Sequence, residues 1–245
     1  MSLQGKRALV TGGSRGLGAA ICKVLAERGA RVAVNYSASP DRAEETRASL
    51  AGQGHVIIQG DVFTHEGVDA LVAGTIKALG GIDFIVSNAG WTKFGPYSDI
   101  KAIADEDWDR CWHRNVMAHL WLAQAAEEEL KKNHGSLVIS ASAAGLRPSG
   151  SSMAYSVSKA ASSHLTKCLA KSLAPNVTVN AVAPGLMMTE WSAGFSDAQV
   201  QHAKNNTLLK QTTGVEDAAG AFAAVLENRS MTGQTIEVSC GMGMA

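Results

Sequence analysis

The sequence lacks the features that mark several large classes of protein. Its four cysteines include no CxxC pair, which disfavours both a disulfide framework and a zinc site. Lys plus Arg equals Asp plus Glu at 22 each, so no net charge attracts nucleic acid or an anionic membrane. The amino-terminal stretch MSLQGKRALV reaches an apolar strand by Arg7, too soon for a signal peptide or a membrane span. These absences predict a cytoplasmic protein with no nucleic-acid or membrane partner.

A metal site and a hydrolase motif are also missing from the sequence. Two of the seven histidines, His113 and His119, stand at helical spacing on either side of Asn115. No third ligand follows them at a useful spacing, and no G-x-S-x-G turn presents a nucleophilic serine. We therefore interpret the histidines as surface or packing residues and predict no metal.

What the sequence does contain is a regular alternation of strand and helix signals. Its apolar runs are continuous rather than alternating, which is typical of strands covered on both faces of a parallel sheet. The seven predicted strands are residues 7–12, 31–36, 55–61, 82–90, 136–142, 177–185 and 234–239. The six predicted helices are residues 16–28, 41–51, 66–79, 104–130, 153–173 and 215–227. This alternation predicts a doubly wound α/β fold, a three-layer sandwich around a seven-stranded parallel sheet.

The chain is predicted to form one domain over residues 1–245. No linker, charge run or internal repeat divides it, and 46% of its residues are hydrophobic, enough for a sizeable core. The longest stretch without a clear strand or helix signal is residues 186–214, which we name the substrate loop. Such long excursions in compact α/β domains are usually functional, often as lids.

The first predicted strand runs into the glycine-rich sequence TGGSRGLG, residues 11–18. Gly12, Gly16 and Gly18 permit a tight turn and let backbone N–H groups approach a pyrophosphate at the positive end of a helix. Their spacing differs from the common dinucleotide motif G-x-G-x-x-G and from a P-loop. The alternative is a glycine turn needed only for close packing of helix and strand.

The sequence YSVSK, residues 155–159, places a phenol and an ammonium one helical turn apart. On its own, such a pair is more typical of a solvated helix surface. Together with the glycine turn and Ser142, we interpret Tyr155 and Lys159 as a catalytic pair. The three residues between them are interpreted as spacers.

These motifs follow an order typical of one family. The chain has TGGSRGLG, SNAG at residues 87–90, Asn115, Ser142, YSVSK and PGLMMTE, with thirteen residues from Ser142 to Tyr155. In this it resembles the compact, single-domain branch of the short-chain dehydrogenase/reductases over essentially its whole length. The similarity looks closest to the 3-oxoacyl-[acyl-carrier-protein] reductase-like enzymes. The resemblance implies a Rossmann-like fold and a nicotinamide cofactor, and it disfavours the epimerases and dehydratases of the longer branch.

The resemblance implies a catalytic set of Asn115, Ser142, Tyr155 and Lys159. Reduction of a ketone by hydride leaves an alkoxide, which needs a proton donor and a stabilising hydrogen bond. Tyr155 would donate the proton, and Lys159 would lower the pKa of that phenol from about 10 and bind the nicotinamide ribose. Ser142, favoured over Ser140, would bond the substrate oxygen. Asn115 would hold a water of a proton relay, unless it is only a helix cap or a kink residue.

The cofactor is predicted to be NADP(H). Tyr36 stands where an acidic residue would bind the ribose of NAD, whereas Arg15 lies in the glycine loop and offers a fork to the 2′-phosphate. Arg42 is a further candidate, unless it lies only on a solvated helix face. The resemblance implies that Asp61 binds the adenine amino group, unless it only caps the next helix, and that Thr189 contacts the nicotinamide carboxamide. The predicted cofactor contacts are Gly12, Ser14, Arg15, Gly16, Leu17, Gly18, Tyr36, Ser37, Asp61, Val62, Asn88, Ala89, Gly90, Tyr155, Lys159, Pro184, Gly185 and Thr189.

A substrate pocket is predicted from two segments that flank the pocket of the family. Aromatic residues are only 5% of the chain, so their concentration in these segments favours an apolar cleft as much as plain core or subunit contact. Arg114 departs from the family, which prefers an apolar residue before Asn115, and leaves the local packing open. The predicted substrate contacts are Trp91, Phe94, Ser142, Met187, Met188 and Trp191.

The sequence therefore predicts an NADPH-dependent carbonyl reductase for a small or medium ketone, such as a quinone, a secondary-metabolite carbonyl or a 3-oxoacyl compound. A carrier-protein substrate ranks below a free ketone, because residues 174–179 lack a basic side chain where such reductases offer one. The alternatives are an NAD(P)+-dependent secondary alcohol dehydrogenase and a noncatalytic cofactor-binding regulator. The resemblance also implies a homotetramer or a dimer.

Overall fold

Seven strands form one parallel sheet in the computed structural model, which describes residues 3–244. The strands are β1 (Arg7–Val10), β2 (Arg31–Tyr36), β3 (Val56–Gln59), β4 (Phe84–Ser87), β5 (Ser136–Ser140), β6 (Thr178–Pro184) and β7 (Thr235–Val238). Their order in the sheet is β3-β2-β1-β4-β5-β6-β7, and every neighbouring pair is parallel. Each strand falls within a predicted apolar run, so the predicted parallel sheet is confirmed.

Eight α-helices lie between these strands in the described part of the chain. They are α1 (Gly16–Glu27), α2 (Pro40–Ala48), α3 (His65–Leu79), α4 (Asp105–Trp112), α5 (Ala118–Lys132), α6 (Met153–Leu173), α7 (Asp197–Asn205) and α8 (Val215–Glu227). Helices cover both faces of the sheet, as the doubly wound fold requires.

The predicted helix over residues 104–130 is interrupted in the structure. Residues His113–Met117 form a π-helical turn between α4 and α5, with Asn115 at its centre. A π turn inserts one extra residue into the helix, which the spacing of apolar residues does not reveal, and such turns are frequent at functional sites. The turn bulges where the sequence predicted continuous α-helix.

The substrate loop is more regular than the sequence predicted. It contains a short 3₁₀ helix, Glu190–Gly194, and the helix α7. No residue of α7 is buried, so it lacks the apolar stripe by which helices are predicted. Its capping box was the available signal: Ser196 Oγ accepts from Gln199 N at 3.3 Å, and Gln199 Oε1 accepts from Ser196 N at 2.9 Å.

The core has one part on each face of the sheet, because alternate residues of a strand point to opposite faces. Leu9, Ile85 and Leu137 face one cluster, which includes buried residues of α3, α5 and α6. Val10, Val86 and Val138 face the other, with buried residues of α1 and α8. Apolar burial on both faces fixes the register of the central strands and therefore the positions of their carboxyl ends.

The crevice of the fold lies where the strand order reverses, between β1 and β4. In open α/β sheets ligands bind there, beyond the carboxyl ends of the strands. The loops after β1, β4, β5 and β6 carry the predicted site residues to this edge.

Within residues 3–244, no helix combines the length and apolar character needed to cross a membrane. The assignment of residues 1–245 to one domain stays a prediction.

Candidate active site

The glycine loop between β1 and α1 is too tight for side chains. Gly12 and Gly16 have φ angles of +61° and +52°, in the left-handed region that favours glycine. A Cβ atom on Gly18 would lie 2.1 Å from the Gly12 carbonyl oxygen and 2.8 Å from Asn88 Nδ2. Helix α1 begins at Gly16 without a side-chain cap, which leaves its positive end to the crevice. This cradle fits the phosphates of a dinucleotide.

Two residues that sequence reasoning missed, Thr11 and Asn35, hold the loop in shape. Thr11 Oγ1 accepts from Asn88 N at 2.9 Å and Ala89 N at 3.0 Å. Asn35 Oδ1 accepts from Gly12 N at 3.1 Å. Both are buried, and a polar side chain in a buried strand must find hydrogen-bond partners. The Asn in the apolar run VAVNY was therefore the signal that could have found it.

The predicted SNAG segment lies directly against the glycine loop. Asn88 Nδ2 donates to the Thr11 carbonyl at 3.0 Å, which ties the end of β4 to the end of β1. A Cβ on Gly90 would lie 2.9 Å from Asn115 Oδ1 and 3.8 Å from Lys159 Nζ. Gly90 thus allows the catalytic candidates to approach the cofactor cradle.

The structure brings Ser142, Tyr155 and Lys159 together at the carboxyl end of β5. Helix α6 is capped by Ser152, whose Oγ accepts from Tyr155 N at 3.2 Å, and this places Tyr155 in its first turn. Lys159 Nζ lies 5.8 Å from the centroid of the Tyr155 ring and donates to the Ser140 carbonyl at 2.6 Å. Ser142 Oγ accepts from Ala144 N at 3.2 Å and lies close enough to the Tyr155 hydroxyl to lower the pKa of the phenol. Ser140 therefore contributes its backbone, and Ser142 its hydroxyl.

The pKa of the phenol differs from the sequence expectation. Burial raises the pKa of Tyr155 to about 12, and the nearby Ser142 hydroxyl offsets this only in part. Burial also lowers the pKa of Lys159 to about 8. The predicted lowering of the phenol pKa by Lys159 is wrong for the protein as described, because the ammonium directs its hydrogen bond to Ser140 and desolvation dominates both groups.

Asn115 is wholly buried and makes three side-chain hydrogen bonds. Its Oδ1 accepts from Trp91 N at 2.8 Å, and its Nδ2 donates to Trp91 O at 2.8 Å and to Ser158 Oγ at 2.9 Å. Its own carbonyl accepts from Ser162 Oγ at 2.6 Å. Asn115 therefore joins the π turn, the segment after β4 and helix α6.

The serines inside YSVSK are anchors, so their interpretation as spacers is wrong. Ser156 Oγ donates to the Ala144 carbonyl at 2.6 Å. Ser158 Oγ donates to the Tyr155 carbonyl at 2.8 Å while it accepts from Asn115. Only Val157 is exposed. The two hydroxyls fix α6 to the loop after β5 and to the π turn, and so orient Tyr155 and Lys159.

Two of the predicted substrate contacts, Trp91 and Trp191, lie beside the phenol of Tyr155. The rings of Tyr155 and Trp191 lie 6.1 Å apart. Trp91 packs with Tyr155 in a small cluster around Cys111. Phe94 instead pairs edge-on with Phe195, a residue that the sequence analysis missed, at 4.9 Å between centroids.

The two predicted methionine contacts, Met187 and Met188, differ in burial. Met187 is partly buried, whereas Met188 is 54% exposed. The Phe94–Phe195 pair joins the segment after β4 to the substrate loop.

The remaining cofactor candidates line the same edge. Thr189 lies beside the glycine loop, since a Cβ on Gly16 would be 3.8 Å from Thr189 Cβ. Gly185, after Pro184, has no room for a side chain, because its Cβ would lie 2.6 Å from Thr213 Oγ1. The other predicted cofactor contacts differ in exposure. Arg15, Ser37 and Asp61 are exposed, Ser14, Leu17 and Tyr36 are partly buried, and Val62 is buried.

Asp61 and Arg15 have partners within the protein. Asp61 Oδ1 accepts from Phe63 N at 3.0 Å. The cap of α3 is Thr64, whose Oγ1 accepts from Gly67 N at 3.1 Å, so the alternative role of Asp61 as the helix cap is wrong. Arg15 Nη1 donates to Glu190 Oε2 at 2.9 Å. The guanidinium thus already holds an acidic group.

Arg114 and the histidines pack against neighbouring side chains. The guanidinium of Arg114 stacks 4.5 Å over the Phe63 ring, which settles the packing that the sequence left open. His119 is wholly buried, its Nδ1 lies 2.6 Å from Ser87 Oγ, and burial holds its pKa well below the usual value. Across residues 3–244, no three His, Cys, Asp or Glu side chains gather as metal ligands.

Comparisons with known proteins agree with this geometry. A family model for short chain dehydrogenases matches residues 6–200. Versicolorin reductase 1 of Aspergillus parasiticus is 34% identical over 84% of this chain and 78% of its own length. The 3-oxoacyl-[acyl-carrier-protein] reductase of Staphylococcus epidermidis is 33% identical over 98% of this chain and 99% of its own. Both the resemblance found in the sequence and its link to 3-oxoacyl reductase-like enzymes are thereby confirmed.

A solved structure supports the fold and a nicotinamide cofactor. The short chain dehydrogenase of Burkholderia cenocepacia, in complex with NADP, is 35% identical over all of both chains and superposes with a TM-score of 0.89. The Rossmann-like arrangement expected from the sequence is thus confirmed.

Proposed function

This chain belongs to the short-chain dehydrogenase family, and from that premise we propose that it is an NADPH-dependent reductase of small or medium ketones. Membership makes it an NAD(P)-dependent oxidoreductase that acts on CH–OH and C=O groups. The observation that carries the proposal is the convergence of Ser142, Tyr155 and Lys159 beside the glycine cradle.

The catalytic roles follow from what each side chain can do. When bound, the reduced nicotinamide supplies the hydride. The Ser142 hydroxyl lies beside the Tyr155 hydroxyl, so the two can bond one carbonyl oxygen and stabilise the charge that develops there. Tyr155 gives its proton to that oxygen. Lys159, which donates to the Ser140 carbonyl, would bind the cofactor ribose, as the family resemblance implies.

Asn115 is proposed as a positioning residue in this site. It holds the backbone of Trp91 and the hydroxyl of Ser158, and Ser158 in turn donates to the Tyr155 carbonyl. The family resemblance also implies that Asn115, in the π turn, holds a water of a proton relay. This network fixes the phenol relative to the segment that follows β4.

The Tyr155 hydroxyl is in the protonation state that ketone reduction needs. Burial raises its pKa to about 12, so at neutral pH the hydroxyl carries the proton that a general acid donates. An alcohol dehydrogenase would need that group as a base. A noncatalytic regulator is disfavoured because the whole set of catalytic side chains is present and brought together.

The preference for NADPH is proposed from the residues near the end of β2. Tyr36 leaves that strand end without a carboxylate, and Arg15 and Arg42 bring two guanidinium groups together near it. A phosphate is the ligand that such a fork prefers. The Burkholderia relative in complex with NADP supports the same choice.

A free apolar ketone is the proposed class of substrate. Trp91 and Trp191 lie beside Tyr155, and apolar aromatic side chains favour planar or hydrophobic ligands. The similarity to versicolorin reductase 1 supports a secondary-metabolite carbonyl. The similarity to a 3-oxoacyl-[acyl-carrier-protein] reductase keeps a 3-oxoacyl compound within the proposal.

We propose further that residues 1–245 act as one NAD(P)-binding domain in a cytoplasmic homotetramer or dimer. Trp112 and Val157 are 45% and 46% exposed, and with Trp108 they line a shallow cavity of about 200 Å³ between α4 and α6. Exposed apolar side chains at one place are typical of a protein contact. The mass in solution tests this part of the proposal.

The function is tested by turnover of the purified protein with NADPH or NADH against a panel of quinones, aromatic ketones and 3-oxoacyl esters. We expect NADPH oxidation with at least one apolar ketone and a lower kcat/KM with NADH. Oxidation of the matching alcohols at neutral pH should be slower than the reduction. Faster alcohol oxidation, or preference for NADH, would contradict the proposed function.

A further inference from the structure

Glu190 holds both arginines of the proposed phosphate site. Its Oε2 accepts from Arg15 Nη1 at 2.9 Å. Arg42 Nη1 donates to Glu190 Oε1 at 3.0 Å and to Oε2 at 2.9 Å. The two guanidinium groups, Arg42 first, hold the pKa of Glu190 below its usual range. A single carboxylate therefore occupies a fork built from two arginines.

The three charged residues come from three separate segments. Arg15 is in the glycine loop, Arg42 in α2, and Glu190 in the substrate loop. Glu190 starts the 3₁₀ helix that Thr189 precedes, and Ser192 Oγ accepts from Thr189 N at 3.2 Å and donates to Thr189 O at 2.8 Å. The ion pairs thus tie a defined turn of the substrate loop to the cofactor edge.

The chemistry of this contact resembles that of a bound phosphate. A carboxylate and a phosphate both present acceptor oxygens to guanidinium forks. Two cations can satisfy one such group well, but a second anion at the same fork meets Coulomb repulsion. A ligand phosphate at Arg15 and Arg42 must therefore displace Glu190 or remain close to its charge. Either outcome weakens binding of the phosphate.

We propose that Glu190 is a specificity-determining residue that competes with the 2′-phosphate of NADPH for Arg15 and Arg42. The inference rests on the proposed function, because it takes these arginines as the 2′-phosphate site. NADH lacks that phosphate, so its binding leaves the three charges paired. Glu190 therefore lowers the affinity for NADPH but not that for NADH, and so reduces the preference for NADPH over NADH.

The competition also links cofactor binding to the substrate loop. The segment that ends in Glu190 carries Met187 and Met188 and continues into Trp191, whose ring lies 6.1 Å from that of Tyr155. Where the 2′-phosphate displaces Glu190, NADPH releases this tether of the substrate loop, whereas NADH retains it.

The size of the effect follows from the exposure of the pairs. The side chains of Arg15, Arg42 and Glu190 are 63%, 47% and 59% exposed, and exposed ion pairs are weak and screened by salt. We therefore expect E190Q to tighten NADPH binding by about three- to tenfold at low salt. The affinity for NADH should change by less than about twofold.

The test measures dissociation constants of NADPH and NADH for wild type and E190Q by nicotinamide fluorescence. E44Q is the matched control: it also removes one negative charge, and Glu44 pairs with Arg47 on α2 rather than with Arg15 or Arg42. E44Q should leave both constants within about twofold of wild type. Thermal unfolding of each variant checks that it is folded.

The outcomes separate this inference from the function on which it rests. If wild type binds NADH more tightly than NADPH, the proposed cofactor preference fails. If wild type prefers NADPH but E190Q binds it no more tightly, only the competition by Glu190 is overturned. Equal tightening of both cofactors, or an equal effect of E44Q, also overturns it, since the 2′-phosphate would then play no special part.

Discussion

Asn115 holds the backbone of Trp91 by both of its polar groups. Its amide accepts from Trp91 N and donates to Trp91 O, each at 2.8 Å. The side chain thus satisfies both backbone hydrogen-bonding groups of Trp91, just after β4, as a neighbouring strand would. It does so one residue beyond Gly90, where a Cβ would lie 2.9 Å from the Asn115 oxygen. The geometry of the site therefore depends on this single amide.

Replacing Asn115 tests that dependence. Asn115→Leu keeps most of the volume but leaves the part-buried Trp91 N–H and C=O groups without partners, so we expect the free energy of unfolding to fall by about 2–4 kcal/mol. Ser158→Ala removes only one of the three bonds and should cost about 1 kcal/mol. Urea unfolding measures both. Equal losses for the two variants would contradict the role of the amide in holding Trp91.

Tyr155→Phe tests the proton donor. Removal of the hydroxyl should lower kcat for the best ketone by about 10²–10⁴-fold, while the dissociation constant of NADPH changes little. Tyr97→Phe is the matched control, because the Tyr97 hydroxyl donates to the Ser149 carbonyl at 2.6 Å and has no proposed part in the chemistry. It should cost about 1 kcal/mol of stability and little activity. Unchanged turnover by Tyr155→Phe would rule out the proposed acid.

The glycine cradle is tested by a pair of Gly→Ala substitutions. At Gly18 the new methyl would lie 2.1 Å from the Gly12 carbonyl, so the loop must shift. We expect a loss of about 1–3 kcal/mol of stability and a large loss of NADPH affinity. At Gly220, within α8, a Cβ meets nothing within 4 Å, and alanine should stabilise the helix by about 0.5–1 kcal/mol. Calorimetry and cofactor titration compare the two; tight NADPH binding by Gly18→Ala would contradict the cradle.

The buried Lys159 predicts a pH dependence of stability. Its pKa is lowered from 10.5 to about 8 by burial, so between these values the unfolded chain binds more protons than the folded one. Stability contributed by this group therefore rises with pH through that window and is lost as pH falls towards 8. The free energy of unfolding of wild type minus that of Lys159→Met should therefore rise by about 3 kcal/mol from pH 8 to 10.5.

Urea unfolding at several pH values measures this difference. Lys171→Met, on the exposed side of the same helix, controls for the loss of a lysine from the unfolded chain. A difference between wild type and Lys159→Met that stays constant or falls with pH would show that Lys159 is not desolvated as the structure indicates.

Much of the fold could be predicted because its signals are local. Continuous apolar runs located all seven strands, and helical spacing located α1, α2, α3, α6 and α8 to within a few residues. The exceptions had no apolar periodicity to read. Helix α7 buries no side chain, and the π turn around Asn115 adds one residue within an otherwise helical stretch.

The candidate site likewise has residues that the motifs predicted and features that they did not. The motifs named Ser142, Tyr155 and Lys159, and the structure brings them together. The partners of these residues were not visible in the motifs, because Asn35, Thr11 and Ser158 act through hydrogen bonds to residues distant in the sequence. The pKa of Tyr155 was expected to be lowered and is raised, since burial is a property of the packed interior.

The sequence by itself determined the parallel α/β architecture, the glycine turn and the choice of the proposed catalytic side chains, because these depend on residue type and short-range spacing. Only the tertiary structure decided that desolvation governs the pKa values of Tyr155 and Lys159, that Asn115 holds Trp91, and that Glu190 meets Arg15 and Arg42. Glu190 lies 175 residues from Arg15 and 148 from Arg42 along the chain. Their contact exists because the folded sheet brings the ends of separate strands to one edge.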